Sequence, residues 1–344
     1  MRENHADVKA AQTGAAETAA SISTPAQTAR KCVVTVLGAG RSGTSAITRA
    51  LPAIGVDLGD NLRRGRGKNP TGFWEDRDLL ALNKRLKRVL GVRGDSVRLI
   101  GDDEWHQPAV RALHDQAVET IKRRFGGHQM WGYKYGRTLR MLPFWTAVFD
   151  ELGLDARYVI ALRNPLSVAR SRAALDERRG TQEKSDLEWL VNVVPYLHLV
   201  RERPFVVVDY DLVMGAPAAT LERMAGQLGI TLESNAGIDD YCTNFLKTGM
   251  RHSRFSLEEL QADERIHPLV RQGYTWLYRL ASDEVSASDP AFWADWERIA
   301  EGVRALDPLL THIDRVQHDL LHAQRSLLGP LQALPELWRR LNAR

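Results

Sequence analysis

A glycine-rich segment carries the strongest chemical signal of the chain. It follows the β-branched run Cys32–Leu37 and reads Gly38-Ala39-Gly40-Arg41-Ser42-Gly43-Thr44-Ser45. Glycines allow backbone N–H groups to approach an anion, and the start of a following helix adds a partial positive charge. The pattern therefore predicts a strand, a phosphate-binding loop and a helix.

Two common phosphate-loop patterns fit this segment incompletely. The glycine spacing matches the GxGxxG dinucleotide fingerprint, and Asp57 or Asp60 lies near the offset of its ribose-binding acid. That acid should end a second strand, whereas Ile54–Asp57 is a poor strand directly after a predicted helix. A Walker A loop has a lysine where this chain has Thr44, which argues against an ordinary ATPase or kinase. An NAD(P)-binding Rossmann oxidoreductase stays open as an alternative.

A second group of candidate residues follows the apolar run Arg157–Leu162. Arg163 comes directly after this run, and Ser171 lies eight residues further on. Ligands of open parallel sheets bind beyond the carboxyl ends of the strands, so we expect Arg163 beside the glycine loop. Two helical turns place Ser171 on the same helix face.

A carboxylate, Glu75, follows the loop's helix in the run Gly72-Phe73-Trp74-Glu75-Asp76. A carboxylate beside aromatic rings is suited to general-base catalysis, so Glu75 is a candidate base. The alternative is a Glu-Asp pair that only stabilises the first turn of a helix.

Together these motifs resemble the sulfotransferase family over Val33 to His252, in a style similar to its bacterial and carbohydrate-modifying members. In that family a basic residue, a serine, a glycine and paired hydroxyls hold the donor 3′-phosphoadenosine 5′-phosphosulfate (PAPS). An arginine that ends a strand and a serine eight residues later bind its 3′-phosphate. The resemblance implies PAPS as co-substrate, no metal, and sulfonate transfer to a hydroxyl, with an amine as the lesser alternative, of an acceptor such as a carbohydrate or glycolipid.

The resemblance also implies roles for individual residues. The residues expected to bind PAPS are Gly40, Arg41, Ser42, Gly43, Thr44, Ser45, Arg163, Ser171 and Arg251. Arg251 belongs to Lys247–His252, which stands in for the family's basic C-terminal phosphate loop. The residues expected to be catalytic are Glu75, Arg41 and Lys134. A non-catalytic nucleotide-binding protein without a working base is the second alternative.

The elements that position these residues follow from the hydrophobic pattern. Apolar runs predict the strands Cys32–Leu37, Met130–Tyr135, Arg157–Leu162 and Phe205–Tyr210. Amphipathic spacing predicts the helices Ser45–Ile54, Asp78–Leu90, Pro108–Arg124, Asp186–Glu202 and Pro217–Leu228. Alternating strands and helices indicate an α/β fold, a central mainly parallel sheet flanked by helices. With the resemblance, this is the P-loop NTPase-like sulfotransferase fold with a helical C-terminal extension.

The 344 residues divide into three predicted regions. Residues 1–31 are Ala/Thr/Gln-rich and are expected to be a disordered leader. Residues 32–257 form the α/β domain, and residues 258–344 form a helical region packed on it. Apolar residues between Leu309 and Leu327 alternate steps of four and three, which allows a homodimer through the C-terminal helices.

Composition excludes several classes of protein. A net charge of +4, from 47 basic and 43 acidic residues, is too even for a dedicated nucleic-acid binder. Two cysteines exclude a disulfide framework or a four-cysteine zinc site. Since we find no signal peptide and no apolar run of the ~20 residues that a membrane helix needs, we expect a cytoplasmic protein.

Overall fold

Four strands form the central sheet of the computed structural model, which describes residues 30–65, 72–135, 139–176, 179–246 and 253–341. The strands are β1 (Cys32–Gly38), β2 (Met130–Lys134), β3 (Asp155–Leu162) and β4 (Phe205–Asp209). Their order is β2-β1-β3-β4, and each neighbouring pair is parallel. The predicted parallel sheet is confirmed, with strand ends within two residues of the predicted ones.

Helices account for most of the remaining described chain. They are α1 (Thr44–Ala50), α2 (Arg77–Val89), α3 (Pro108–Phe125), α4 (Leu142–Glu151), α5 (Pro165–Ala173), α6 (Gln182–Val193), α7 (Tyr210–Gly215), α8 (Pro217–Gln227), α9 (Ala236–Asp240), α10 (Leu257–Ala262), α11 (Pro268–Ala281), α12 (Pro290–Ala305) and α13 (Asp307–Leu341). Short 3₁₀ segments span Pro52–Ile54, Asp102–His106, Leu139–Met141 and Val194–Val200, and a π turn spans Tyr241–Phe245. The α/β fold class with a helical C-terminal part is therefore confirmed.

Prolines explain two differences from the predicted helices. The helix predicted over Ser45–Ile54 ends at Ala50, because Pro52 has no N–H for a further helical hydrogen bond and starts a 3₁₀ turn. The helix predicted over Asp186–Glu202 begins earlier, at Gln182, and ends before Pro195. Its continuation is a 3₁₀ segment. Helix α4 was not predicted.

Both faces of the sheet are covered, which explains why the strands are mostly apolar. Val33 and Leu37 of β1 belong to one core, and Val34 and Val36 belong to the core on the opposite face. The first core also contains a group of aromatic rings from β2, α3 and α4. In this group the Phe125 and Trp131 rings stack with their centroids 4.0 Å apart. Strand β2, which ends at the candidate site, therefore packs within a layer of aromatic rings.

The C-terminal helices pack on the α/β part rather than apart from it. Trp296 of α12 lies in the same core as Trp189 of α6. Helix α13 docks through buried Asp314, whose Oδ1 accepts a hydrogen bond of 2.8 Å from the Val97 N–H. Its other face exposes Leu309, Val316 and Leu320. A homodimer through this face stays a prediction.

The start of the described chain already pairs with the sheet region. The Lys31 carbonyl accepts a hydrogen bond of 2.9 Å from the Asp155 N–H, although Lys31 belongs to the predicted leader. Residues 1–29 lie outside the described residues, so the leader stays a prediction. Among the helices that are described, none combines the length and the apolar character of a membrane span.

Asp209 is a buried carboxylate at the carboxyl end of β4. Its Oδ1 caps α7 by accepting hydrogen bonds from the N–H groups of Asp211 and Leu212, at 2.8 and 3.2 Å. Tyr274 Oη donates to its Oδ2 at 3.4 Å. Burial raises the pKa of Asp209 to about 7, because the charged form is poorly solvated there.

This raised pKa predicts a pH-dependent stability. The native carboxyl group keeps its proton where the unfolded one is ionised, so its contribution is full below about pH 4 and is lost as the pH rises through 7. We expect Asp209→Asn, which preserves a capping side chain, to reduce the loss of urea stability between pH 5 and pH 8. Asp289→Asn, at the N-cap of α12, is the control that should keep the wild-type pH dependence. Equal pH dependence in both variants would contradict the prediction.

Candidate functional site

The glycine loop joins β1 to α1 in a conformation that few side chains tolerate. Gly38 and Gly43 have positive φ values of 145° and 78°. A Cβ on Gly43 would lie 2.9 Å from Cγ of Tyr210, so the Tyr210 ring occupies the space of a side chain. Arg41 has φ 79°, which is unfavourable for a residue with a Cβ. The loop therefore depends on contacts from the rest of the fold.

Arg41, Arg163 and Ser171 come together, as expected for a second anion-binding element beside the loop. Arg41 Nε donates to Ser171 Oγ at 3.0 Å, and Arg163 Nη1 donates to the Arg41 carbonyl at 3.5 Å. The Arg163 guanidinium also lies over the Tyr210 ring, 4.8 Å from its centroid. Ser171 thus contacts the loop through Arg41.

The two guanidinium groups leave positive charge unbalanced. Within the described ranges, no carboxylate pairs with Arg41 or Arg163. Burial, reinforced by the charge of Arg163, lowers the pKa of Arg41. Two buried atoms, Ser42 Oγ and Arg163 Nε, have no hydrogen-bond partner among the residues that are described. Since unsatisfied buried polar groups are costly, this is where an anion with several oxygens would fit.

A second cluster joins Lys134 to Glu75 across the other side of the loop. Lys134 ends β2, and its Nζ donates to Ser45 Oγ at 3.1 Å and to Glu75 Oε1 at 3.3 Å. Glu75 Oε2 also pairs with Arg63 Nη1 at 3.1 Å. Glu75 and Lys134 are both buried. Burial lowers the pKa of Lys134, whereas the charge of Glu75 acts in the opposite direction.

The adjacent acids Glu75 and Asp76 have different roles. Asp76 caps α2, because its Oδ1 accepts hydrogen bonds of 2.9 and 3.0 Å from the N–H groups of Asp78 and Leu79. The Glu75 carboxylate instead pairs with the ammonium group of Lys134. The alternative interpretation, in which an acidic residue only stabilises the first turn of a helix, therefore applies to Asp76 and not to Glu75.

The two aromatic residues that precede Glu75 contact arginines. The Phe73 ring lies under the guanidinium of Arg63, 3.8 Å from centroid to Cζ. The Trp74 ring lies against Arg49, at 5.3 Å, and against Phe245. The carboxylate of Glu75 is thus held by two cations, while its aromatic neighbours stack on arginines.

The remaining predicted residues are placed as follows. The Gly40 carbonyl accepts a hydrogen bond of 3.3 Å from Arg172, and Thr44 is buried in the first turn of α1. Arg251 lies outside the described residues, so its role stays a prediction. Sequence reasoning missed Tyr210 and Arg172. Tyr210 directly follows β4, so the rule that ligands lie at the carboxyl ends of strands would have found it.

The dinucleotide alternative does not match the strand neighbours of β1. A dinucleotide-binding fold ends its second strand in an acid, but β2 ends in Lys134 and β3 is followed by Arg163. The two candidate acids are engaged elsewhere, Asp57 with His128 at 2.8 Å and Asp60 with Arg124 at 2.7 Å. The geometry therefore disfavours an NAD(P) site.

Comparisons with known proteins found structural but not sequence similarity. No family model matches the chain, and no curated protein does. The sulfotransferase domain of the Synechococcus PCC 7002 olefin synthase aligns over 81% of this chain and 96% of its own, with 15% identity and a TM-score of 0.38. The sulfotransferase STF1 from Mycobacterium tuberculosis H37Rv aligns over 72% of this chain and 77% of its own, with 15% identity and a TM-score of 0.39. We therefore infer the function from the site itself.

The contact between Gly43 and Tyr210 predicts unequal effects of two alanine substitutions. Gly55 has φ 86° and open space where a Cβ would lie, so Gly55→Ala should cost only the backbone strain of roughly 1–2 kcal/mol. Gly43→Ala adds a clash with Tyr210 and should cost ~1–3 kcal/mol more. Urea unfolding of both variants measures the difference. Equal losses in the free energy of unfolding would show that the contact with Tyr210 adds no cost to a side chain at position 43.

Proposed function

We propose that this protein is a PAPS-dependent sulfotransferase. The observation that carries the proposal is the pair of clusters on either side of the glycine loop. One has uncompensated cations, Arg41 and Arg163, and the other has a buried carboxylate beside a buried lysine, Glu75 and Lys134. The first suits a donor with several anionic groups, and the second suits removal of a proton at the point of transfer.

The loop and its neighbours would hold the donor. Backbone groups of Gly40 to Ser45, with the hydroxyls of Ser42, Thr44 and Ser45, would bind the 5′-phosphosulfate. Arg163 and Ser171 would bind the 3′-phosphate, with Arg251 as a further candidate. The unpartnered Ser42 Oγ and Arg163 Nε support this fit, because phosphate oxygens would accept hydrogen bonds from both.

The transfer itself needs a base and stabilisation of the leaving group. The acceptor hydroxyl oxygen forms a bond to sulfur while the bond from sulfur to the 5′-phosphate oxygen breaks. Glu75 accepts the hydroxyl proton, and the electron pair leaves on the phosphate of adenosine 3′,5′-bisphosphate. Arg41 and Lys134 stabilise the charge that develops there. As in phosphoryl transfer, the protein contributes mainly positioning and charge stabilisation.

Nucleotide binding provides a first test. Wild-type protein should bind adenosine 3′,5′-bisphosphate far better than 5′-AMP, ADP or NAD, because only the bisphosphate presents anions to both parts of the site. Arg163→Ala should weaken the bisphosphate by roughly ten- to a hundredfold, as a lost charge-assisted hydrogen bond costs ~1.5–3 kcal/mol, and should leave 5′-AMP nearly unchanged. Arg170→Ala, at an exposed arginine of the helix that follows Arg163, is the matched control for calorimetric titration. Tight NAD binding by the wild type would reject the proposal.

Turnover provides a second test and separates an enzyme from a non-catalytic nucleotide-binding protein. Glu75→Gln should lower sulfonate transfer by ~10²–10⁴, the usual contribution of a general base, and leave bisphosphate affinity within a few-fold. Transfer is followed with radiolabelled PAPS in an acceptor screen. Asp78→Asn, which removes a carboxylate from the first turn of α2, is the control and should retain activity. Near-normal turnover of Glu75→Gln would show that another group is the base.

A further inference from the structure

Arg172 is a buried arginine that contacts the glycine loop from helix α5. It follows Ser171 on α5 and is 4% exposed. Its Nη2 donates to the Gly40 carbonyl at 3.3 Å. Its Nη1 donates to the Ser185 carbonyl at 3.2 Å and lies 3.3 Å from Glu188 Oε2. The planar guanidinium thus bridges helix α6 and the glycine loop.

Glu188 pairs with Arg172 and with a second arginine, Arg179. Its side chain is fully buried on α6, and Arg179 donates to its two oxygens at 3.0 and 2.6 Å. Arg179 is more exposed and faces a different loop, where it donates to the Gly94 carbonyl at 3.2 Å. One carboxylate therefore fixes two arginines, of which only Arg172 contacts the glycine loop in the described structure.

The contact falls at the strained point of the loop. The Gly40 carbonyl belongs to the peptide that enters Arg41, whose φ of 79° is unfavourable for an L-residue. Rotation of this peptide would move the Arg41 N–H and side chain away from Ser171 and Arg163. A strained conformation of this kind persists where surrounding contacts hold it. Arg172 supplies such a contact from a buried ion pair with Glu188.

We infer that Arg172, held by Glu188, is a positioning residue that keeps the Gly40–Arg41 peptide in the orientation that binds the 5′-phosphate of the nucleotide. This inference rests on the proposed function, because it concerns the same loop. Since the 5′-phosphate is common to adenosine 3′,5′-bisphosphate and 5′-AMP, loss of Arg172 weakens both nucleotides by the same factor. Loss of Arg163, in contrast, weakens the bisphosphate alone.

The same substitution at the two arginines of Glu188 tests the inference. Lysine keeps the charge but cannot bridge Glu188 and Gly40 as a planar fork does. Arg172→Lys should weaken bisphosphate and 5′-AMP equally, by about tenfold or more. Arg179→Lys should leave both affinities within about twofold, although it removes a contact to the same carboxylate. Calorimetric titration gives the affinities, and thermal unfolding gives the stability loss of each variant.

Each outcome separates the inference from the proposed function. Unchanged affinities in Arg172→Lys, or equal affinity losses in the two variants, would overturn the positioning role while the wild type still binds the bisphosphate. Failure of the wild type to bind the bisphosphate would reject the proposed function itself. If Arg172→Lys does not fold, Glu188→Asp replaces it, because the shorter carboxylate draws Arg172 from Gly40 and keeps every charge. It should give the same equal weakening of both nucleotides.

Discussion

The parallel pairing of β1 with both β2 and β3 is the constraint on which the site depends. Val36 of β1 is in register with Lys134, and Gly38 is in register with Ala161, two residues before Arg163. Because the carboxyl ends of the three strands meet at one edge, the glycine loop emerges between two cations. A different neighbour for β1 would separate these groups, even with every local element unchanged.

The electrostatics of the two clusters are opposite in character. On the β2 side, the carboxylate of Glu75 pairs with two cations, Lys134 and Arg63, so the cations of this cluster already have an anionic partner. On the β3 side, the guanidinium of Arg163 is buried against the Tyr210 ring and donates hydrogen bonds to the carbonyls of Arg41 and Ser253. A cation–π contact and neutral carbonyl oxygens replace hydration only in part. The unbalanced side is therefore the side on which an anionic ligand gains the most free energy.

The helical layer behind the sheet contributes to the site as well as to the core. On helix α6, Trp189 packs in the main core and Glu188 pairs with Arg172, which contacts the glycine loop. Helix α11 packs against the same region, since the Trp189 ring lies 3.1 Å from the position of a Cβ on Gly273. Packing of this density transmits small displacements, so the loop's conformation depends on residues far from it in the chain.

Local sequence patterns determined the strands, the glycine loop, and the placement of Arg163 beside it. These features follow from short-range physics, namely buried β-branched runs, glycines at positive φ, and residues directly after a strand. The tertiary structure alone decided which groups meet. It joined Ser171 to Arg41 and Arg172 to Gly40, contacts that span more than a hundred residues, and it assigned the helix cap to Asp76 and the buried ion pair to Glu75. Such pairings depend on strand order and helix packing, to which no local propensity corresponds.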